Sequence, residues 1–230
     1  MGLLRVRTHH HMHAPPPLQG TLSLYQTDPN PLPYFETNAH HPNKFIFLAG
    51  LTDTIGVVPY LPRLAEVLDK LQYSLVQPIK GSDMGGFGLS SLEGDAQETA
   101  QLIEHLTTRA QHPRKGRLVV MGHSTGCQDV VHLLSKERSL SRNGGNPKIH
   151  VDGGILQAPA SDYDYFQANK TEQDAQLLAL SEKMIAEQRG DALLPRDGVP
   201  AKPTSLDGRG PGNSDAVLRP AFTAYRYHSL

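Results

Sequence analysis

A serine between two glycines is the feature of this 230-residue sequence that most directly indicates chemistry. The apolar run Leu118–Met121 leads into the pentapeptide GHSTG at positions 122–126, and a helical pattern follows over residues 127–134. A strand, a tight turn and a helix around Gly-x-Ser-x-Gly are typical of a nucleophile elbow, which strains the serine backbone and exposes its hydroxyl above a sheet. We therefore predict a nucleophilic Ser124, with the helix N-terminus and the Thr125 N–H placed to stabilise negative charge.

The composition predicts one domain and argues against several classes of partner. The length suits a single domain with a sizeable core. A formal net charge of −1 argues against nucleic acid or an anionic membrane as a partner. No run is long and apolar enough to cross a bilayer, and the N-terminus lacks the apolar core of a signal peptide. Cys127 is the single cysteine, which favours a reducing compartment. We therefore expect a cytoplasmic protein with no membrane span.

Four apolar runs alternate with helical patterns, as expected of a parallel sheet with helices on both faces. The predicted strands are Phe45–Ala49, Tyr73–Gln77, Leu118–Gly122 and Ile155–Ala158. Segments 20–25 and 34–37 are candidate edge strands. The pattern predicts an α/β fold in which the elbow follows one of the central strands.

Two segments near the elbow contain glycines or acids that suggest further roles. The loop Gly81–Gly88 resembles a phosphate cradle, but no Gly-Lys-Ser/Thr follows it, so a nucleotide site is disfavoured. We expect this loop beside the elbow, at the edge where open α/β sheets bind ligands. Asp95 and Glu98 have the spacing of a capping box and are predicted to begin a helix. We predict no cofactor and no metal site.

The chain divides into three predicted regions. Residues 1–19 are rich in His and Pro and predict a disordered tail, because nothing around them would form a rigid metal-coordination shell. Residues 20–165 are the predicted α/β core. Residues 166–230 are a predicted lid-like helical segment with a helix from about Thr171 to Gln188. Within that segment, residues 191–214 have no periodicity and are rich in Pro, Gly and Asp, which predicts a mobile loop.

The sequence resembles the α/β-hydrolase superfamily. The likeness lies in the elbow, in the loop Leu48–Asp53 and in the strand exit Ile155–Asp162. More narrowly, the segments GHSTGCQD at 122–129 and TAYRY at 223–227 resemble a fungal and plant group that includes fusarinine-type siderophore esterases. The resemblance implies hydrolysis of a small-molecule carboxylic ester through an acyl-serine, for example a siderophore or another secondary-metabolite ester.

The resemblance also implies roles for individual residues. Ser124 is the nucleophile, and the N–H groups of Leu51 and Thr125 form the oxyanion hole. We expect Cys127 to be a small buried packing residue. His123, directly before the nucleophile, is expected to pack against its neighbours and is not predicted to be the base.

The acid and the base of a catalytic triad are harder to place. In this fold they follow the nucleophile in the order Ser, Asp/Glu, His, and they normally lie beyond two further strands. No apolar run after Ala158 predicts such a strand, so we expect a C-terminally truncated family member with an uncovered sheet edge. Asp162 and His228 are the candidates that remain, although Asp162 fits a helix-capping or loop carboxylate better. A non-catalytic relative that binds a ligand or partner is therefore the alternative to an esterase.

Overall fold

The computed structural model describes residues 17–108, 116–140, 149–195 and 221–228. Six strands form one sheet in the order β1-β2-β4-β3-β5-β6. The strands are β1 Thr21–Gln26, β2 Leu32–Glu36, β3 Asn43–Leu48, β4 Tyr73–Pro78, β5 Leu118–His123 and β6 Gly153–Gln157. The helices are α1 Leu61–Lys70, α2 Leu92–Thr108, α3 Gly126–Leu140, α4 Asp162–Asn169, α5 Glu172–Ala186 and α6 Ala224–His228. No helix in the described ranges has the length and apolar character needed to cross a membrane.

The four predicted strands pair in parallel, which confirms the predicted sheet. β3 pairs with β4 on one side and β5 on the other, and β5 pairs with β6. β1 and β2 extend the sheet in the antiparallel direction, so the complete sheet is mixed. β6 lies at the opposite edge, where Ile155 and Leu156 are 43% and 46% exposed. No other described strand pairs with its outer side.

Helices cover both faces of the sheet, as predicted. One core contains Phe45 and Phe47 of β3 together with Leu61 and Leu68 of α1. The core on the other face packs β-strand residues against α2 and α3. Because successive side chains of a strand point to opposite faces, a strand buried on both faces is apolar almost without interruption. This burial explains why β3 and β5 could be predicted from their apolar runs in the sequence.

A third hydrophobic cluster joins helices α4, α5 and α6 to loops at the carboxyl end of the sheet. It contains Phe166, Met184 and Tyr227 from the helices and Phe87 from the loop after β4, and Leu51 packs against it. The predicted helix at 171–188 is α5, which begins with a capping box formed by Thr171 and Asp174. That these helices act as a lid stays a prediction. Residues 1–16 of the predicted tail and 196–214 of the predicted loop lie outside the described residues.

The predicted capping box at Asp95 and Glu98 is wrong. Helix α2 begins at Leu92, and the Ser91 hydroxyl accepts a hydrogen bond from the Gly94 N–H at 3.1 Å. Asp95 is instead buried in the first turn of the helix. The Glu98 carboxylate accepts a hydrogen bond from the Gly81 N–H at 2.8 Å. Both acids therefore face the loop after β4, an arrangement that depends on tertiary contacts and not on local spacing.

Candidate active site

Ser124 occupies a sharp turn between β5 and α3. Its φ of 54° lies in the left-handed region, which costs a residue with a side chain about 1–3 kcal/mol. Three main-chain hydrogen bonds hold this conformation. The Ser124 N–H donates to the carbonyl of Gln157 at 3.1 Å, and the Ser124 carbonyl accepts from Cys127 and Ala160 at 3.1 and 3.2 Å. The strained turn is therefore fixed by β6, α3 and the segment after β6 together.

The two glycines of the pentapeptide permit close contact between the strands and α3. A Cβ on Gly122 would lie 2.4 Å from the carbonyl oxygen of Gly126. A Cβ on Gly126 would lie 2.5 Å from the carbonyl oxygens of Leu48 and Ala49. Both distances are too short for any side chain, so glycine is required at each position to bring α3 against the end of β3.

The two predicted oxyanion donors line one cavity. This cavity has a volume of about 30 Å³, and Gly50, Leu51, Thr125 and Gln128 form one part of its wall. Neither the Leu51 N–H nor the Thr125 N–H donates a hydrogen bond to another described residue. A Cβ on Gly50 would lie 3.0 Å from the Ser124 Cβ, so the loop after β3 runs directly beside the serine. Two residues whose N–H groups have no described acceptor, together with the start of α3, therefore lie around one cavity, which is what an oxyanion hole requires.

Asp162 lines the same cavity, but its carboxylate is already bound. Its Oδ2 accepts a hydrogen bond from Arg226 Nη2 at 3.0 Å. Asp162 is the first residue of α4, and Ser161 caps that helix by accepting a hydrogen bond from the Asp164 N–H. In the described residues, therefore, Asp162 is part of an ion pair that joins α4 to α6.

None of the three histidines after the nucleophile that lie in the described ranges contacts Ser124. His132 lies in α3, with Nε2 at 3.1 Å from Oε2 of Glu93. His150 lies before the amino end of β6, and His228 is exposed in α6. The Ser124 hydroxyl has no hydrogen-bond partner among the described residues. Among the described residues, the strained turn and the two predicted oxyanion donors thus occur without a side chain placed to act as a general base at the hydroxyl.

Cys127 and His123 behave as predicted. The Cys127 thiol is buried, donates to the carbonyl of Gly122 at 3.2 Å, and has its pKa raised by burial. The His123 ring is hydrogen-bonded to the Gln157 side chain through Nδ1, and its centroid lies 5.9 Å from that of Tyr60. Neither side chain is positioned as a base by a contact with Ser124.

A buried group of charges that no sequence pattern predicted also lines the cavity. Its members are Lys80, Asp83, Asp95 and Asp129, and we name it the Lys80 cluster. The Lys80 ammonium lies 2.6 Å from Asp129, 3.3 Å from Asp83 and 3.9 Å from Asp95. All four side chains are at most 8% exposed. Their positions in sequence carry no motif, and the one available signal was a glycine-rich loop with a lysine and an acid beside the predicted elbow.

Burial and pairing shift the ionisation of the Lys80 cluster in identifiable directions. Burial raises the pKa of Asp129 to about 6, although the Lys80 ammonium opposes this change. Burial likewise raises the pKa of Asp83. For Lys80, burial opposes the charge, but the three carboxylates outweigh it and hold its pKa above the usual value. Among the described residues there is no group of three or more His, Cys, Asp or Glu that could hold a metal ion.

Comparison with solved structures establishes the fold. A siderophore hydrolase from Aspergillus fumigatus is 26% identical, with a TM-score of 0.57 over 93% of this chain and 64% of that chain. An α/β-hydrolase fold protein of unknown function is also 26% identical, with a TM-score of 0.56 over 77% of this chain and 57% of that chain. The chain therefore has the α/β-hydrolase fold, as its sequence predicted.

Comparison with other protein sequences identifies two relatives that are named esterases. An esterase from Emericella nidulans is 33% identical over 172 residues, which are 66% of this chain and 46% of that protein. The fusarinine C esterase of Aspergillus fumigatus is 30% identical over 162 residues, which are 65% and 46% of the two chains. The chain thus spans about half the length of the curated relatives it matches. A family model described as "Protein of unknown function (DUF1749)" matches residues 10–206, and the chain belongs to this family.

Proposed function

We propose that the protein is a serine hydrolase that cleaves carboxylic esters through an acyl intermediate on Ser124. The observation that carries the proposal is the strained Ser124 turn beside the unoccupied N–H groups of Leu51 and Thr125. A serine with only a structural role would not require N–H groups without acceptors both in the next residue and in the loop beside it. The names of the relatives, which include esterases and a siderophore hydrolase, support the same class of reaction.

In the proposed reaction, the Ser124 oxygen attacks the ester carbonyl carbon while its proton passes to solvent water, which also returns a proton to the departing alcohol oxygen. The carbonyl oxygen becomes negative and accepts hydrogen bonds from the Leu51 and Thr125 N–H groups. The carbon–oxygen bond to the alcohol then breaks, the alcohol oxygen takes up a proton, and the acyl group remains on Ser124. Water attacks the acyl carbon in the second half-reaction, which releases a carboxylic acid and restores the serine.

Proton removal is the step for which the described residues supply no group. A serine without a base is a weak nucleophile at neutral pH, and general-base assistance typically contributes about 10²–10⁴-fold. We therefore expect slow reaction at Ser124 in this chain. The alternative is a relative that binds a ligand or partner without turnover. It is favoured by the Arg226–Asp162 ion pair, which occupies the candidate acid.

The proposed substrates are small esters such as siderophore or other secondary-metabolite esters. The support is the similarity to two proteins named for such substrates, a fusarinine C esterase and a siderophore hydrolase. The balanced charge and the single cysteine support a cytoplasmic location with no nucleic acid partner.

A fluorophosphonate probe on the purified 230-residue chain tests the proposal. We expect slow labelling that mass spectrometry locates on Ser124 and that Ser124→Ala abolishes. Ser135→Ala, which removes an exposed hydroxyl on α3, is the matched control and should label like the wild type. Labelling that persists in Ser124→Ala would refute the nucleophile. Rapid labelling would show that a base is present, with His228 the first residue to replace. An ester that shields Ser124 from the probe without being hydrolysed would favour the binding alternative.

A further inference from the structure

The Lys80 cluster joins three separate parts of the fold at the candidate site. Lys80 and Asp83 belong to the loop after β4, Asp95 to the first turn of α2, and Asp129 to the first turn of α3. The Lys80 N–H also donates to Asp83 Oδ2 at 2.8 Å, which folds the loop back on itself. The shortest of the ionic contacts, 2.6 Å, is the one that reaches α3. Lys80 therefore tethers the elbow helix to the loop across the cavity.

The turn of α3 that carries Asp129 also holds the proposed nucleophile and oxyanion donor. The Cys127 N–H donates to the Ser124 carbonyl at 3.1 Å, and the Gln128 N–H donates to the Thr125 carbonyl at 2.9 Å. Asp129 is the next residue along this turn. A displacement of Asp129 would therefore be transmitted through two main-chain hydrogen bonds to the serine and to the Thr125 N–H.

The excess of negative charge in the Lys80 cluster indicates that the cluster does not stabilise the folded state. Three carboxylates surround one ammonium in a buried site, and Glu98 and Tyr25 add further groups on the same side. Desolvation of buried ions commonly exceeds the attraction between them, so a neutral side chain of similar size is often as stable. Burial accordingly disfavours the charged form of Asp129, as the direction of its pKa shows. Groups that conflict with stability in this way concentrate at functional sites.

We propose that Lys80 is a positioning residue for the elbow, whose ion pair with Asp129 fixes the first turn of α3 and with it the Ser124 hydroxyl and the Thr125 N–H. This inference rests on the function proposed for Ser124. It goes beyond that function because it assigns a role to a residue that touches neither the serine nor the oxyanion donors.

Substitution of Asp129 tests the inference without removing the lysine. Asp129→Asn keeps the shape and leaves a neutral, weaker hydrogen bond to Lys80, whereas Asp129→Ala removes the bond. A reacting group that is displaced by about 1 Å can lose 10²-fold in rate, and the ion pair between Lys80 and Asp129 would prevent such a displacement. We expect Ser124 labelling at pH 7 to fall by roughly tenfold in the Asn variant and further in the Ala variant. Amide exchange over residues 124–129 should become faster in the same order.

A matched control comes from a second buried ion pair at the opposite end of the sheet. Lys44 donates to Glu36 at 2.7 Å, near the amino end of β3. The variant Lys44→Met leaves the Glu36 carboxylate without its cation and removes two hydrogen bonds to main-chain carbonyls, so it should lower the urea midpoint and leave Ser124 labelling, per folded molecule, unchanged. By contrast, Asp129→Asn should slow labelling without a lower midpoint at pH 7. A purely structural role would make the rate and the midpoint fall together.

The two proposals fail in different ways. Absence of Ser124-dependent labelling in the wild type would refute the proposed function. The positioning role would still be tested by comparing amide exchange over residues 124–129 in the wild type and the Asp129 variants. Unchanged exchange and unchanged labelling in Asp129→Ala would overturn that role. Lys80→Met is less informative alone, because three unpaired buried carboxylates are expected to prevent folding. Combined with Asp83→Asn, Asp95→Asn and Asp129→Asn it leaves no unpaired charge in the cluster, so this variant should fold and label at the rate of Asp129→Ala, and wild-type labelling in it would also refute the inference.

Discussion

Replacement of Asp129 by asparagine should change how the stability of the protein depends on pH. Burial raises the pKa of the Asp129 carboxyl from 3.8 to about 6, even with the Lys80 ammonium beside it. The folded state therefore holds this proton more tightly than the unfolded chain does. The contribution of the protonated Asp129 carboxyl to stability is fully present below pH 4 and is lost as the pH rises through about 6. The unfolding free energy therefore falls over that window. The rise of this pKa from 3.8 to about 6 corresponds to roughly 3 kcal/mol.

Urea unfolding of the wild type and of Asp129→Asn at pH 4 and at pH 7 measures this contribution. The asparagine resembles the protonated carboxyl and does not titrate. The difference in unfolding free energy between variant and wild type should therefore shift by about 3 kcal/mol in favour of the variant between pH 4 and pH 7. Asp164→Asn, which removes one exposed negative charge from α4, reports the effect of net charge alone.

The opposite sign would refute the reasoning. If Asp129→Asn lost stability relative to the wild type as the pH rose, Lys80 would outweigh burial and the cluster would stabilise the fold. A difference that stayed constant with pH would show that the carboxyl titrates alike in both states. Either result would also remove the charge argument for the positioning role of Lys80.

Three further predictions concern the elbow and the helices around it. Gly126→Ala should lower the unfolding free energy by at least about 1–3 kcal/mol, since its Cβ would overlap two carbonyl oxygens. Gly85→Ala is the control and should change thermal unfolding little, because a Cβ there meets no atom within 4 Å. Arg226→Met should destabilise by about 3 kcal/mol, because it leaves Asp162 half-buried and unpaired, and hydrogen exchange should locate the change in α4 and α6. Added imidazole should accelerate Ser124 labelling, by less than the about 10⁴-fold limit of general-base assistance, and an unchanged rate would show that proton removal is not limiting.

The parts of the site that could be predicted from sequence are those built from neighbouring residues. The elbow needs β5, two glycines, Ser124 and the start of α3, all within one continuous segment. The buried strands were predictable because a strand covered on both faces cannot alternate with polar residues. The direction of β2 was not predictable, because the same short apolar pattern pairs in either direction.

The Lys80 cluster could not be predicted, because its members come together only in the folded chain. Lys80 and Asp129 are 49 residues apart and belong to different elements. Asp95 even satisfied a local pattern, that of a helix cap, while its side chain faces the lysine. A local rule assigns such an acid to the surface or to a helix end, since a buried carboxylate without a partner is strongly unfavourable. Only the position of the ammonium in three dimensions resolves the choice.

Two features that act against stability lie close together in the elbow, one at Ser124 and one at Asp129 in the first turn of α3, and their proximity connects the fold to the proposed chemistry. Ser124 is strained, and Asp129 is charged in a place that favours its neutral form. By the positioning role proposed for Lys80, both features fix where the Thr125 N–H and the serine hydroxyl lie. Stabilisation of an oxyanion requires only such fixed dipoles, whereas proton removal requires a further side chain at the hydroxyl. The proposed site therefore has its electrostatic part among the described residues and no described group for proton removal. A variant at Asp129 should weaken the electrostatic part without altering the response to imidazole.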